Sequence, residues 1–122
     1  MSVAERGAGK QTQLEKAAEY YNHKEFKAAG DLLSKEYEAH PKNSQAAFYY
    51  AITLIQNKQE GKARAILQEL YKGESVFKYD AAWYMALSYV KVKDKVNAKA
   101  WLDKIPVGTS NYAKAMELKG KL

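Results

Sequence analysis

Cysteine is absent from the sequence, and this absence excludes several kinds of chemistry. Without a thiol there can be no disulfide framework, no thiolate metal site and no cysteine nucleophile. Two prolines and seven glycines among 122 residues also argue against a low-complexity chain. This length allows one domain, with a core large enough to fold without metal or disulfide staples.

Long hydrophobic runs are also missing. The longest apolar stretch, residues 46–55, is about half of the ~20 residues that cross a bilayer. The first ten residues are small and polar and contain no signal-peptide core, so we expect a flexible N-terminal segment over residues 1–10. No direct membrane insertion by residues 1–122 is expected. The compartment stays open between the cytoplasm and, for a piece of a membrane-anchored protein, an extracytoplasmic or periplasmic site.

Arginine is scarce, although the net charge is +6. Of twenty basic residues only Arg6 and Arg64 are arginine, the residue favoured for bidentate contacts with phosphates and bases. The lysines recur along the whole chain and do not cluster, which favours solvated surfaces. The composition therefore argues against a nucleic-acid partner, and a lysine-mediated complex would show itself by steep salt dependence.

Histidine is limited to His23 and His40, both next to expected helix ends. A serine nucleophile needs a nearby base, and a metal site needs a cluster of ligands, so two isolated histidines argue against both. The sequence also has no HExxH motif and no glycine-rich phosphate loop. We therefore expect no enzyme activity, no catalytic residues, no metal and no cofactor, and we interpret both histidines as exposed turn and capping residues.

What the sequence does contain is an internal repeat. Three sets of residues recur at separations of 34 and 35: Ala17, Ala51 and Ala86; Ala29, Ala63 and Ala98; Leu33, Leu67 and Leu102. A fixed period of this size is typical of stacked helical arrays. The alanines suit places where helices cross, because a methyl group allows two backbones to approach closely.

Apolar spacing around polar turns predicts seven helices, over residues 11–22, 25–39, 44–57, 60–72, 77–91, 94–104 and 111–121. Helix starts are expected at Asn43 or Ser44, at Asp94, and at Thr109 or Ser110. Gly73 is expected to end the fourth helix as a left-handed cap. The expected fold class is all-α.

This pattern resembles the tetratricopeptide repeat, with repeats starting at Lys10, Ser44 and Tyr79. The resemblance implies a right-handed alpha-alpha superhelix of about seven antiparallel helices. It also implies a single domain over residues 11–122, with repeats 10–43, 44–78 and 79–110 and a capping helix over 111–121. Ser75 and Ser110 stand where the family usually has proline. Residues 81–87 carry a weaker resemblance to soluble segments of bacterial envelope proteins, which implies a bacterial source. An RNA-binding pentatricopeptide array ranks well below the tetratricopeptide repeat.

The resemblance further implies a concave groove lined by the first helix of each repeat. The residues it assigns to a partner-binding groove are Leu14, Tyr21, Phe48, Tyr49, Ile52, Ile55, Trp83, Tyr84, Leu87 and Val90. All ten are aromatic or aliphatic, which favours an apolar protein or peptide segment as the partner. The basic clamp that some family members use for a terminal carboxylate is missing, because Leu14, Tyr49 and Asp80 stand at its positions.

Two alternatives to this binding scaffold remain open at the sequence level. In the first, the groove residues pack mainly on one another or on the N-terminal segment. In the second, the chain is a self-associating structural module that buries the groove or a terminal face in a homodimer. Light scattering at several concentrations distinguishes the homodimer, because it alone requires a stable dimer without any partner.

Overall fold

The computed structural model describes Met1 and residues 12–122. Within these residues there are seven helices and no strand: α1 (Gln13–Asn22), α2 (Phe26–Ala39), α3 (Ser44–Gln56), α4 (Glu60–Lys72), α5 (Lys78–Lys91), α6 (Lys95–Leu102) and α7 (Tyr112–Lys121). The all-α prediction is confirmed. Apart from Met1, the expected flexible segment over residues 1–10 lies outside the described residues. The chain forms two compact units, Met1–Ala63 and Arg64–Leu122.

The nine residues that define the repeat have no solvent exposure. Ala17, Ala29, Leu33, Ala51, Ala63, Leu67, Ala86, Ala98 and Leu102 are each 0% exposed. In the first unit α1 packs on α2 and α2 on α3, while in the second α5 packs on α6. Small residues at these positions let neighbouring helices approach, and the leucines fill the remaining volume. The register read from the sequence is thus the register of the core.

Each helical pair is joined by the same tight turn, centred on a lysine with left-handed backbone. The φ angles of Lys24, Lys58 and Lys93 are 61°, 63° and 62°. In the second of these turns the Lys58 amide donates to the Ile55 carbonyl at 3.0 Å, and the following amide donates to the Leu54 carbonyl at 2.7 Å. These bonds satisfy carbonyls at the end of α3, as a glycine cap does elsewhere. The sequence predicted the turns but not the backbone state of the lysines.

Two of the predicted helix starts are confirmed by side-chain caps. Asn43 Oδ1 accepts from the Ala46 amide at 3.2 Å, and Asp94 Oδ1 accepts from the Asn97 amide at 3.1 Å. Each bond satisfies an amide that has no partner within its helix. Helix α6 ends at Leu102, two residues earlier than predicted, because the Lys104 and Ile105 amides donate to carbonyls three residues earlier and so leave the α-helical pattern before Pro106.

Two of the expected caps were wrong. Gly73 is not left-handed, and the glycine with positive φ in the described part is Gly108, at 92°. Helix α7 is preceded by Asn111, whose side chain makes no capping bond. The Thr109 hydroxyl donates to the Pro106 carbonyl instead, at 2.9 Å, which stabilises the loop after α6 and leaves the helix start uncapped.

Helix α7 covers a hydrophobic cluster in the second unit. The fully or almost fully buried members are Ala82, Ala86, Leu102, Ile105 and Ala115. Larger, half-buried side chains surround them: Tyr71, Trp83, Trp101, Tyr112, Leu118 and Leu122. Helix α7 therefore supplies one wall of this core.

Two buried hydroxyl groups occupy equivalent places in the two units. Thr53 and Ser88, 35 residues apart, are 0% and 1% exposed. Each hydroxyl donates to a carbonyl three residues earlier in its own helix, that of Tyr50 or Met85, at 2.7 Å. Because the bond is local, the helix buries a polar atom without losing a hydrogen bond.

Candidate partner-binding surface

In the first unit, three of the predicted groove residues form a chain of aromatic rings. The Tyr21 and Tyr49 centroids are 5.0 Å apart, and the Phe48 and Tyr49 centroids 5.1 Å apart, with the rings nearly perpendicular. Tyr21 also meets Phe26 of α2 edge to face at 5.5 Å. These arrangements are the favoured ones for aromatic pairs, so the rings hold one another in fixed orientations.

The six groove residues predicted in the first unit differ in exposure. Phe48 and Ile52 are 5% and 4% exposed and belong to the core. The remaining four, Leu14, Tyr21, Tyr49 and Ile55, are half-buried. Only these four offer surface to a partner without rearrangement, so the available apolar strip in this unit is narrower than the sequence suggested.

In the second unit the predicted groove residues lie on α5, and one of them, Trp83, lies next to Lys114 of α7. Trp83, Tyr84, Leu87 and Val90 are all half-buried. The ammonium of Lys114 lies 5.0 Å from the Trp83 ring centroid. A cavity of about 250 Å³ adjoins the indole and is lined by Trp83, Leu87, Lys114, Glu117, Leu118 and Lys121. The cavity is open to solvent and joins apolar side chains to a charged rim.

Sequence reasoning missed the contribution of α7 to this cavity. Lys114 and Leu118 lie four residues apart and therefore share one face of the helix. The four-residue spacing of Lys114 and Leu118 is visible in the sequence. Which face of α7 lies opposite Trp83, however, depends on how that helix packs. The Trp83 cavity is accordingly a product of tertiary structure.

Asp80 stands at one position of the missing basic clamp, and a buried side chain donates a hydrogen bond to it. The Asn111 side chain is 5% exposed, and its Nδ2 donates to Asp80 Oδ1 at 2.7 Å. This bond ties the first turn of α5 to the residue before α7. The carboxylate thus has a structural role, and its negative charge disfavours an anionic group beside it.

Both histidines occupy helix ends, as predicted. His23 and His40 are exposed and follow the last residues of α1 and α2. The His23 Nδ1 atom lies 2.8 Å from the Glu19 carbonyl oxygen, which fixes the ring against its own helix. Within the described residues, no three His, Asp or Glu side chains are grouped to hold a metal ion.

Gly30 opens a cleft in the first unit that the sequence did not reveal. The cleft has a volume of about 510 Å³, and α2, the end of α3 and the turn after it line it with mainly polar side chains. The equivalent residue 34 positions later is Arg64, whose guanidinium lies 5.0 Å from the Tyr89 ring centroid. The side chain at this repeat position therefore differs sharply between the two units, with none in the first and a long cationic one in the second.

No helix in the described residues is long and apolar enough to span a bilayer.

The chain is similar to a known fungal protein. The chain is 32% identical over 93 residues to the mitochondrial fission 1 protein of Candida albicans, a stretch that makes up 74% of this chain and 59% of that protein. The chain thus spans less than two thirds of the relative's length. No family model matches the sequence, and no solved structure matches it.

The comparison leaves the tetratricopeptide assignment as a prediction that the helical arrangement supports. The relative is fungal, so the bacterial source implied by the envelope-protein resemblance has no support.

Proposed function

We propose that this protein is a non-catalytic scaffold that binds a segment of a partner protein, with Trp83 as the central anchor. The observation that carries the proposal is the cavity beside the Trp83 indole, which Leu87 and Leu118 line with apolar surface. A half-buried tryptophan next to an open apolar cavity can bury an incoming side chain against a rigid ring. Tryptophan and tyrosine are the residues most enriched at such anchor points.

The charged rim of the Trp83 cavity complements its apolar floor. Lys114, Glu117 and Lys121 line the cavity beside the indole, and the Lys121 ammonium lies 3.4 Å from a Glu117 carboxylate oxygen. Both side chains of this ion pair are largely exposed, so a partner can displace them at little cost. The floor would supply affinity, and the rim would contribute mainly to orientation.

The similarity to a mitochondrial fission 1 protein supports a non-catalytic role for the helical repeats. The match covers most of this chain, and the sequence over that length carries none of the nucleophile, base or metal-ligand patterns of an enzyme. We infer that the chain acts as an adaptor whose partner is a protein.

The proposal predicts that truncation of Trp83 abolishes partner binding. The partner is first recovered by a pull-down from source cells and identified by mass spectrometry, and its affinity is then measured with purified protein. Trp83→Ala and Tyr84→Ala should each lose at least about 2 kcal/mol of binding free energy, as buried anchors do. Lys99→Ala, an exposed change on α6, should keep full affinity.

Folding must be separated from binding, because Trp83 also touches the core. Circular dichroism establishes which variants are folded. A photo-crosslinking residue placed at Tyr84 should capture the purified partner, whereas the same residue at exposed Ala100 should not. Folded Trp83 and Tyr84 variants that bind with unchanged affinity would show that the partner uses a different surface.

A further inference from the structure

The net positive charge of the protein lies mostly in its second unit, because that unit has fewer acidic residues. Residues 64–122 contain eleven basic and six acidic residues, whereas residues 1–63 contain nine and eight. Nearly the whole net charge of +6 therefore belongs to the second unit. An anionic partner is attracted to that unit first, because unbalanced charge steers diffusional encounters.

Part of this charge converges on one aromatic pair, which we call the Tyr71 face. It consists of Tyr71 near the end of α4, Lys78 at the start of α5, Trp101 in α6 and Lys104 just after α6. The Tyr71 and Trp101 rings meet edge to face, with centroids 5.2 Å apart. The four residues of the Tyr71 face thus come from three separate segments of the chain, which place two lysines beside one pair of rings.

The two ammonium groups lie close to the same tyrosine ring. Lys78 Nζ is 4.8 Å and Lys104 Nζ 5.7 Å from the Tyr71 centroid, and Lys104 Nζ is also 5.3 Å from the Trp101 centroid. Cation–π contacts of lysines that water can reach are weak. The ammonium groups can therefore turn toward a carboxylate while their methylene stems stay on the rings.

No carboxylate in the described part of the chain lies within ion-pair distance of Lys78 or Lys104. The nearest acidic residues in sequence to these lysines have other partners: Asp80 accepts from Asn111, and Asp103 pairs with Lys119. Elsewhere in the unit, exposed lysines such as Lys72 and Lys121 pair with a carboxylate of their own helix. The Tyr71 face thus holds two positive charges that the described chain does not balance.

We propose that the Tyr71 face binds an acidic peptide segment of a partner protein. Two ammonium groups on one ring suit successive carboxylates, and the half-buried rings give the aliphatic stems of glutamate a surface to lie on. The aromatic geometry disfavours nucleic acid, because bases stack on open ring faces. Here the rings are perpendicular at 86°, and ammonium groups lie over both. This surface is separate from the Trp83 cavity and does not rest on it.

The test uses the full chain labelled with ¹⁵N and titrated with octaglutamate at low salt, followed by heteronuclear NMR. The two tryptophans give two indole signals, and Trp101→Phe identifies which belongs to Trp101. We expect a saturable shift of the Trp101 indole and of the Lys78 and Lys104 amides. Lys78→Gln/Lys104→Gln should weaken octaglutamate binding at least about fivefold, since it removes two charge–charge contacts.

A matched control removes the same charge elsewhere in the unit. Lys95→Gln/Lys99→Gln changes two exposed lysines of α6 and should leave octaglutamate affinity within about twofold. Equal weakening by both double variants would overturn the proposal in favour of general charge attraction. Shifts centred on Trp83, or no shift at millimolar octaglutamate, would also overturn it. So would tighter binding of octathymidylate at the same residues, which would identify the face as a nucleic-acid site.

Discussion

At the scale of single residues, the left-handed lysine of each turn is a source of strain that can be relieved. An L-residue in this region costs about 1 to 2 kcal/mol, whereas glycine adopts it freely but loses about 0.5 to 1 kcal/mol of chain entropy on folding. Lys58, with φ 63°, should therefore tolerate glycine well. We predict that Lys58→Gly raises the free energy of unfolding by up to about 1 kcal/mol, measured by urea denaturation.

The control for this prediction is a glycine placed where φ is helical. Lys35 is an exposed residue in the middle of α2, and Lys35→Gly should lower the free energy of unfolding by about 1 kcal/mol. If both variants destabilise the protein equally, the left-handed turn does not strain the lysine.

Asp94 shows how a single cap couples stability to pH. Hydrogen bonds from the side chain and backbone amide of Asn97 lower the pKa of Asp94 below its ordinary value of 3.8. A carboxyl group whose pKa is lower in the folded state stabilises the protein above the unfolded pKa. This contribution is lost as the pH falls through the folded pKa. Asp94→Asn keeps a capping side chain but removes the titrating charge.

We therefore predict a pH-dependent difference in melting temperature between the wild type and Asp94→Asn. The wild type should melt higher above about pH 5, and its advantage should shrink as the pH falls below 3.8. Thermal unfolding followed by circular dichroism between about pH 2 and 7 measures this difference. A difference that stays constant over the whole range would show that the charge of Asp94 is not involved.

At the scale of helices, the small residues of the repeat decide how closely pairs can pack. Ala98 of α6 is 0% exposed, while Ala100, two residues later, is on the exposed side of the same helix. A leucine at Ala98 has to push α6 away from its neighbour, so we predict a loss of roughly 1 to 3 kcal/mol. Ala100→Leu adds the same atoms and should change stability by less than about 0.5 kcal/mol.

Chemical denaturation of both variants measures this pair of effects. Equal stability of Ala98→Leu and Ala100→Leu would mean that the repeat alanines do not mark helix crossings. The same comparison tests the register in the second unit, because Ala98 belongs to the set that includes Ala29 and Ala63.

At the scale of the whole molecule, the apolar and the charged surfaces have different origins. The predicted groove residues recur on the first helices of the repeat, so their spacing follows from the period of the sequence. The positive surplus of the second unit does not follow the repeat, because the first unit is almost balanced with nine basic and eight acidic residues. Two kinds of partner chemistry can thus be carried by one repetitive fold.

The sequence by itself determined the helices, the turns and the buried repeat positions. These properties depend on short-range spacing, and helix periodicity together with a 34- to 35-residue recurrence predicts which side chain faces a neighbour. All nine repeat residues are buried, and six of the seven helix ends agree with prediction within one residue. The missed caps at Gly73 and Thr109 are local too, but several backbone states were open to each.

Only the tertiary structure decided which groove residues are available and what surrounds them. Phe48 and Tyr49 are adjacent in sequence and both aromatic, yet Phe48 lies in the core and Tyr49 at the surface. The sequence could not separate them, because exposure depends on the angle at which each helix packs. For the same reason it predicted neither the placement of Lys114 over Trp83 nor that of Lys78 and Lys104 at Tyr71. Long side chains from different helices meet only after the helices are packed.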